Sequence, residues 1–286
     1  MRLVNFWRPD LGHQTGALVG DRVVSLASAG FPDLLAVLSG GAQARAKIEG
    51  WIHQPPSGAT FELNSVQLFA PVVLPPPKLI FVGLNYRDHA QETGMAIPKV
   101  PTIFSKFANA IIGPEDAIVL PKNSAQVDYE AEFAFVIGSG GRHLAPDDWT
   151  KHVFGYTIVN DVSARDFQMA TSQWMMGKTF DTFAPIGPWI VTADEIADPH
   201  ALDINLRING ETLQSSNTRE LIFKIPDLIA HLSSVMTLEP GDIVSTGTPA
   251  GVGFARKPPR FLREGDQLSI TVAGIGELRN PVVAES

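Results

Sequence analysis

Along residues 1–30, apolar and polar positions alternate in short runs broken by turn residues, the period of strands. Residues 4–7 and 15–26 are rich in β-formers, with Gly20-Asp21 where a hairpin turn would fall. The period then lengthens: residues 33–38 and 42–51 carry apolar side chains at helical spacing, separated by Gly40-Gly41. Pro71 and the run Pro75-Pro76-Pro77 are the clearest linker, since consecutive prolines hold the chain extended and stiff. The pattern therefore predicts a small N-terminal domain over 1–70, a proline-rich linker over 71–77 and a main domain over 78–286.

Strand signals dominate the main domain, at residues 78–82, 128–137, 154–160, 189–192, 204–208, 243–246 and 267–272. Asn209-Gly210 reads as a hairpin turn. Helices are predicted over 163–176 and 226–236, the second with proline in its first turn. The 25 glycines and 22 prolines supply the turns that many short strands need. The fold class is α+β and β-rich rather than a regular βαβ alternation.

Composition narrows the function. With 44% hydrophobic and 18% charged residues the chain suits a packed globular core. A net charge of −8 argues against nucleic acid as a partner, because phosphate binding needs a basic face. There is no cysteine, which excludes disulfides, thiolate ligands and a cysteine nucleophile. The first ten residues lack an apolar core of signal-peptide length, and no window approaches a membrane span. The expected setting is soluble and cytoplasmic, with no membrane partner.

The segment 127–137 carries the most chemistry. On one strand Asp128, Glu130 and Glu132 share a face, while further along both faces become apolar, as in a buried strand. Carboxylates leading into such a strand repel each other and lose hydration. A hard divalent cation relieves both costs, and oxygen ligands suit Mg²⁺, Mn²⁺ or Ca²⁺. An exposed strand end with solvated glutamates is the plain alternative. Asp161 ends the strand predicted at 154–160, a position that often carries function. It, or Ser163 in a capping box with Asp166, could equally cap the helix predicted next.

His89 and Glu92 fall on one helical face if the chain turns helical near Tyr86, giving either a proton-transfer pair or a surface ion pair. Gly177-Lys178-Thr179 imitates the end of a phosphate loop, but Ser172 stands where its first glycine belongs, so a nucleotide site is rejected. Lys178 is then an ordinary lysine or a pocket cation. The small-residue loop 246–253 suits close backbone contact with an anion, or is a plain turn. No Gly-x-Ser-x-Gly or His-Glu-x-x-His pattern is present.

Five motifs occur in order: Gly-x-Asn-Tyr-x-x-His-x-x-Glu (83–92), Asp-Tyr-Glu-x-Glu (128–132), Asn-Asp-x-Ser-Ala-Arg-Asp-x-Gln (160–168), Gly-Lys-x-Phe-Asp (177–181) and Thr-Gly-Thr-Pro-x-Gly-Val-Gly (246–253). Together they resemble the fumarylacetoacetate hydrolase superfamily over about residues 78–283. The resemblance implies rolled mixed β-sheets with a small N-terminal α/β domain, and a homodimer. It implies Glu130, Glu132 and Asp161 as ligands of Mg²⁺ or Mn²⁺, with Ca²⁺ as a crystal substitute. It implies His89 and Glu92 as a water-activating pair on a loop that orders as a lid, and Lys178 as the pocket lysine. Arg165, Gln168, Gly247, Thr248 and, more weakly matched, Lys106 fall at positions that contact substrate. Leu84 departs from relatives with a basic residue there.

The expected partner is a small carboxylic acid. The leading expectation is hydrolytic C–C cleavage of a 2,4-dioxo acid to pyruvate and a carboxylic acid. The alternative is keto–enol tautomerisation or decarboxylation of oxaloacetate, or isomerisation of a 2-hydroxydienoate, through the same metal–enolate chemistry. A non-catalytic binding or structural member is the third reading.

Overall fold

The computed structural model describes residues 1–73 and 78–286, so the prolines 75–77 on which the predicted linker rests lie outside the described residues. Ten strands run in the order Thr60–Glu62, Arg22–Ser25, Gly12–Val19, Arg2–Arg8, Ala184–Thr192, Val153–Asn160, Ala131–Ile137, Ile243–Ser245, Leu79–Gly83 and Thr102–Ser105. Two short strands, Gln67–Phe69 and Ile111–Ile112, pair off this path. The N-terminal strands thus continue the main sheet: Arg2 and Leu3 pair antiparallel with Val191 and Ile190. A second, five-stranded sheet runs from Glu211–Asn217 to Ile118–Leu120.

The alternation seen in the sequence at 131–137 sets the layers. Phe133, Phe135 and Ile137 pack in the same core cluster as Ile204, Leu206 and Ile270 of the second sheet and Leu228, Ile229 and Leu232 of the helix Ile225–Val235. Ala134 and Val136 face the other way, into the cluster holding Leu34, Val37 and Ile48 of the helices Leu34–Ser39 and Gly41–His53. Both faces of the central strand are therefore dry, as its continuous apolar run requires.

Two predicted elements differ. The strand predicted at 128–137 breaks: Val127–Asp128 forms a separate ladder with Ser163–Ala164, and regular pairing resumes at Ala131. Side chains take over the backbone groups in between, since Tyr129 N donates to Asp128 Oδ1 (2.8 Å) and Glu130 N to Asn160 Oδ1 (3.1 Å). The helix predicted at 163–176 is replaced by that ladder and two single turns, Arg165–Gln168 and Met175–Lys178. Between the turns Thr171 Oγ1 exchanges hydrogen bonds with the backbone N and O of Gln173, a local competitor to helix formation.

Candidate metal centre and its cavity

Strand register brings the three acids together. Ala131 lies opposite Asn160, so the start of one strand meets the end of the other, and Asp161 N donates to Glu130 O at 2.9 Å. Glu132 is held from the opposite neighbour, where Ser245 Oγ and Gly247 N (3.1 Å) donate to its Oε2. One carboxylate oxygen from each of Glu130, Glu132 and Asp161 lies within 4.8 Å of the others, and all three residues are buried. Asp161 does not cap a helix. Ser163 Oγ donates to its carbonyl, and Asp166 instead accepts from Ser124 and Ala125, so no capping box forms.

Two lysines and an arginine partly neutralise the cluster. Lys178 Nζ donates to Glu130 Oε2 (2.7 Å) and Asp161 Oδ2 (2.6 Å). Arg165 pairs with Glu130 Oε1 (2.6 Å) and Asp128 Oδ2 (2.9 Å), and donates to Gln168 Oε1 (2.8 Å). Burial works to raise the Glu130 carboxyl, but Arg165 and then Lys178 outweigh it and hold it well below the usual range. Among the described residues Glu132 touches no cation, and burial together with the Asp161 and Glu130 charges pushes it well above that range. Burial also raises Asp161, although Lys106 and Lys178 oppose it. A set of carboxylate oxygens with one member left uncompensated is a donor set that fits a hard divalent cation.

Asp128 leaves the face it shares with Glu130 and Glu132 in the predicted strand. Its carboxylate is fully buried and accepts from Tyr129 N, Gly253 N (2.7 Å), Phe254 N (3.0 Å) and Arg165 Nε (2.9 Å), tying the loop after Thr246 to the arginine. Lys178 is placed by glycine. A Cβ at Gly177 would run into the backbone of Gln168 and Ala164, so only glycine lets the two helical turns pack back to back.

A cavity of about 100 Å³ opens beside the cluster. His89, Arg165, Gln168, Lys178 and Thr248 line it with the three acids. The helix Arg87–Thr93 carries the pair predicted on one face: His89 Nδ1 lies 3.2 Å from Glu92 Oε2, and Glu92 Oε1 accepts from Gly251 N at 2.9 Å. Thr248 Oγ1 accepts from Gln214 Nε2 (2.8 Å), which leaves its own proton free for the cavity.

Two residues expected to contact substrate do not line this cavity. Lys106 sits behind Asp161, fully buried, with Asp161 Oδ1 at 2.6 Å and the carbonyls of Val162 and Phe183 as its acceptors. Two carbonyl hydrogen bonds and the Asp161 charge thereby hold its ammonium, and burial pushes it down to about 8 against the pull of Asp161. Gly247 turns its N–H to Glu132 rather than into the cavity. Sequence reasoning also missed Gln214, Ser245 and Asn160. Gln214 and Ser245 are buried polar side chains reaching the cluster from distant segments, with no spacing signal to announce them, whereas Asn160 stands beside Asp161 at the head of the 160–168 motif without an expected role.

Residues 78–283 match the family model for the fumarylacetoacetate (FAA) hydrolase C-terminal domain. The chain is 53% identical over 221 residues to the oxaloacetate tautomerase Fahd2a, mitochondrial, of Rattus norvegicus, covering 77% of this chain and 70% of that one. Among solved structures it is similar to 5-carboxymethyl-2-hydroxymuconate delta-isomerase from Mycobacterium smegmatis, at 38% identity and a TM-score of 0.80, with 100% of both chains covered. It is likewise similar to maleylpyruvate hydrolase from Sphingobium sp. SYK-6 in complex with manganese (II) ion and pyruvate, at 34% identity and a TM-score of 0.83, again over 100% of both. The rat protein is named as mitochondrial, so this relative lends nothing to the cytoplasmic expectation. No helix among the described residues is long and apolar enough to cross a membrane.

Proposed function

Because the chain belongs to the fumarylacetoacetate hydrolase family, we propose that it is a divalent-metal-dependent tautomerase interconverting the enol and keto forms of a 2-oxo acid of the oxaloacetate type. The observation that carries the choice is the 53% identity to an oxaloacetate tautomerase, against 34% to a maleylpyruvate hydrolase. The C–C hydrolysis expected first from the sequence thus becomes the second reading, and the tautomerase alternative the first.

Glu130, Glu132 and Asp161 would hold the cation, and the manganese in the maleylpyruvate hydrolase structure supports Mn²⁺ or Mg²⁺ there. Once bound, such an ion supplies Lewis acidity that favours negative charge on the C2 oxygen of a 2-oxo acid. The remaining work falls to the chain. Glu92, fixed by Gly251 N, orients the His89 ring through Nδ1, leaving Nε2 to exchange a proton with substrate. Lys178 keeps positive charge beside Glu130 and Asp161. Burial lowers its affinity for the proton, but Asp161 and Glu130 more than restore it. Thr248 offers a hydroxyl donor to a carboxylate in the cavity.

The test uses metal-stripped protein with Mg²⁺ or Mn²⁺ restored, following oxaloacetate enol absorbance separately from pyruvate release. Metal-dependent loss of enol without stoichiometric pyruvate supports the tautomerase. Pyruvate released in step with loss of an acylpyruvate diketone band, with no effect on oxaloacetate enol, replaces it by the hydrolase. No activity on either overturns both.

A further inference from the structure

The cavity is lined by apolar as well as charged side chains. Trp174 lies directly on Gly83, where a Cβ would overlap the indole ring. Phe104 meets Trp174 edge-on at 5.7 Å and stacks on Phe81 at 5.5 Å, and Leu84, Met95 and Met169 extend this apolar wall. Arg165 and Lys178 are the only lysine or arginine residues lining the cavity among the described residues. Each is already paired with two carboxylates. Among the described residues, no lysine or arginine lining the cavity is thus left without carboxylate partners.

We infer that, resting on the tautomerase reading, this site takes monoanionic 2-oxo acids with an aryl or branched alkyl group on C3, of the arylpyruvate type, at least as readily as dianionic oxaloacetate. Charge balance points the same way as the wall. With all four ionised, as a bound cation would hold them, the buried carboxylates Asp128, Glu130, Glu132 and Asp161 exceed the buried cations Lys106, Arg165 and Lys178 by one negative charge among the described residues. A divalent cation reverses the excess to one positive charge, which a monoanion neutralises. A dianion overshoots and leaves negative charge in a dry site, which is costly. The aryl group meanwhile gains apolar contact on Trp174, Phe104 and Leu84. The reaction needs no further reactant: the C2 hydroxyl of the enol loses its proton, C3 gains one, and the C2=C3 double bond becomes C2=O.

Leu84, in a left-handed backbone conformation (φ 48°), is the wall position where a cation would change the preference. Calorimetric titration of the Mn²⁺-loaded protein compares 3-phenyllactate with malate, two 2-hydroxy acids that cannot ketonise. Enol absorbance then compares phenylpyruvate with oxaloacetate. The expected result is phenyllactate binding at least as tightly as malate, with faster phenylpyruvate enol loss. Leu84→Lys should shift the binding ratio towards malate by about fivefold, the upper end of what a partly exposed ion pair contributes. Trp174→Leu should weaken phenyllactate and spare malate, which keeps the inference testable if Leu84→Lys fails to fold. Malate binding tenfold tighter than phenyllactate, or ratios unmoved by both variants, overturns the arylpyruvate assignment while leaving an oxaloacetate tautomerase intact. Silence on both enols removes the tautomerase reading and this assignment with it.

Discussion

Glu132→Gln tests the metal centre most directly, because the structure separates what this side chain does for the fold from what it does for a cation. Its Oε2 accepts from Ser245 and Gly247, and an amide oxygen of the same size can accept both. What the substitution removes is a charge within 4.8 Å of two other carboxylates. At an effective dielectric constant of about 20, each such pair repels by roughly 3–4 kcal/mol. Attraction to Lys178 is weaker than either repulsion, so a net repulsion of at least about 3 kcal/mol acts on an ionised Glu132 in the metal-free protein. Protonation relieves part of this at neutral pH. The folded carboxyl binds its proton more tightly than the unfolded one, so the metal-free wild type loses stability as pH rises above about 4.3. The variant escapes this loss. Metal-free Glu132→Gln should therefore unfold at a temperature equal to or above that of the wild type. With Mn²⁺ at a hundred times its Kd, the wild type should gain about 2.7 kcal/mol, or roughly 5–10 °C in Tm for a chain of this size. The variant should gain less than a third of that. Calorimetric scans with and without Mn²⁺ read both quantities. Equal metal-induced shifts in the two proteins, or a metal-free variant melting several degrees below wild type, would refute the reasoning.

Three further outcomes follow from the same geometry. His89→Ala should lower turnover of oxaloacetate enol by about 10²–10⁴-fold while leaving the Mn²⁺-induced Tm shift intact; a normal rate removes His89 from proton transfer. Lys106→Met leaves Asp161 without one of its cations and two buried carbonyls without a donor, and should cost roughly 3–5 kcal/mol in urea unfolding. A loss below about 1 kcal/mol would mean that the ion pair is not buried as described. Gly83→Ala drives a methyl group into Trp174, so KM should rise without loss of metal binding, at a stability cost of roughly 1–3 kcal/mol. Unchanged KM would place the substrate away from the indole.

Much of the centre is legible in the sequence because strand physics is local. An acid pair spaced by two, leading into a run apolar on both faces, announces carboxylates at a dry strand end, and the structure buries them there. Asp161 is legible as a strand terminus, and antiparallel register then sets it beside Glu130. The misses share a cause, which is that partners distant in sequence override local pattern. Apolar spacing at 163–176 imitates a helix, but Ser163–Ala164 is claimed by Val127–Asp128. Asp128 shows no sign in the sequence of turning to Gly253, Phe254 and Arg165. Lys106 reads as a substrate lysine in the sequence, whereas in the fold it is spent on Asp161 and the carbonyls of Val162 and Phe183, outside the cavity lining.

The uneven distribution of charge in the cluster separates folding from chemistry. Asp161 is held by two lysines and Glu130 by a lysine and an arginine, whereas Glu132 has only neutral donors. The protein can therefore assemble its acids before any cation arrives, unlike small zinc domains whose ligands come together only on the metal. The demand for the cation is concentrated on one strand position whose hydrogen bonds an amide can keep. Such a cluster favours an enolate whichever bond to C3 is made or broken, so it cannot by itself choose between moving a proton and splitting a carbon–carbon bond. That choice depends on what lies against the far end of the substrate. In this chain Leu84, Met95, Phe104, Met169 and Trp174 are the apolar residues that line the cavity with the acids, and the proposed orientation sets the far end against them. Substitutions along that wall should therefore redirect substrate preference while leaving metal affinity unchanged, and substitutions in the cluster should do the reverse.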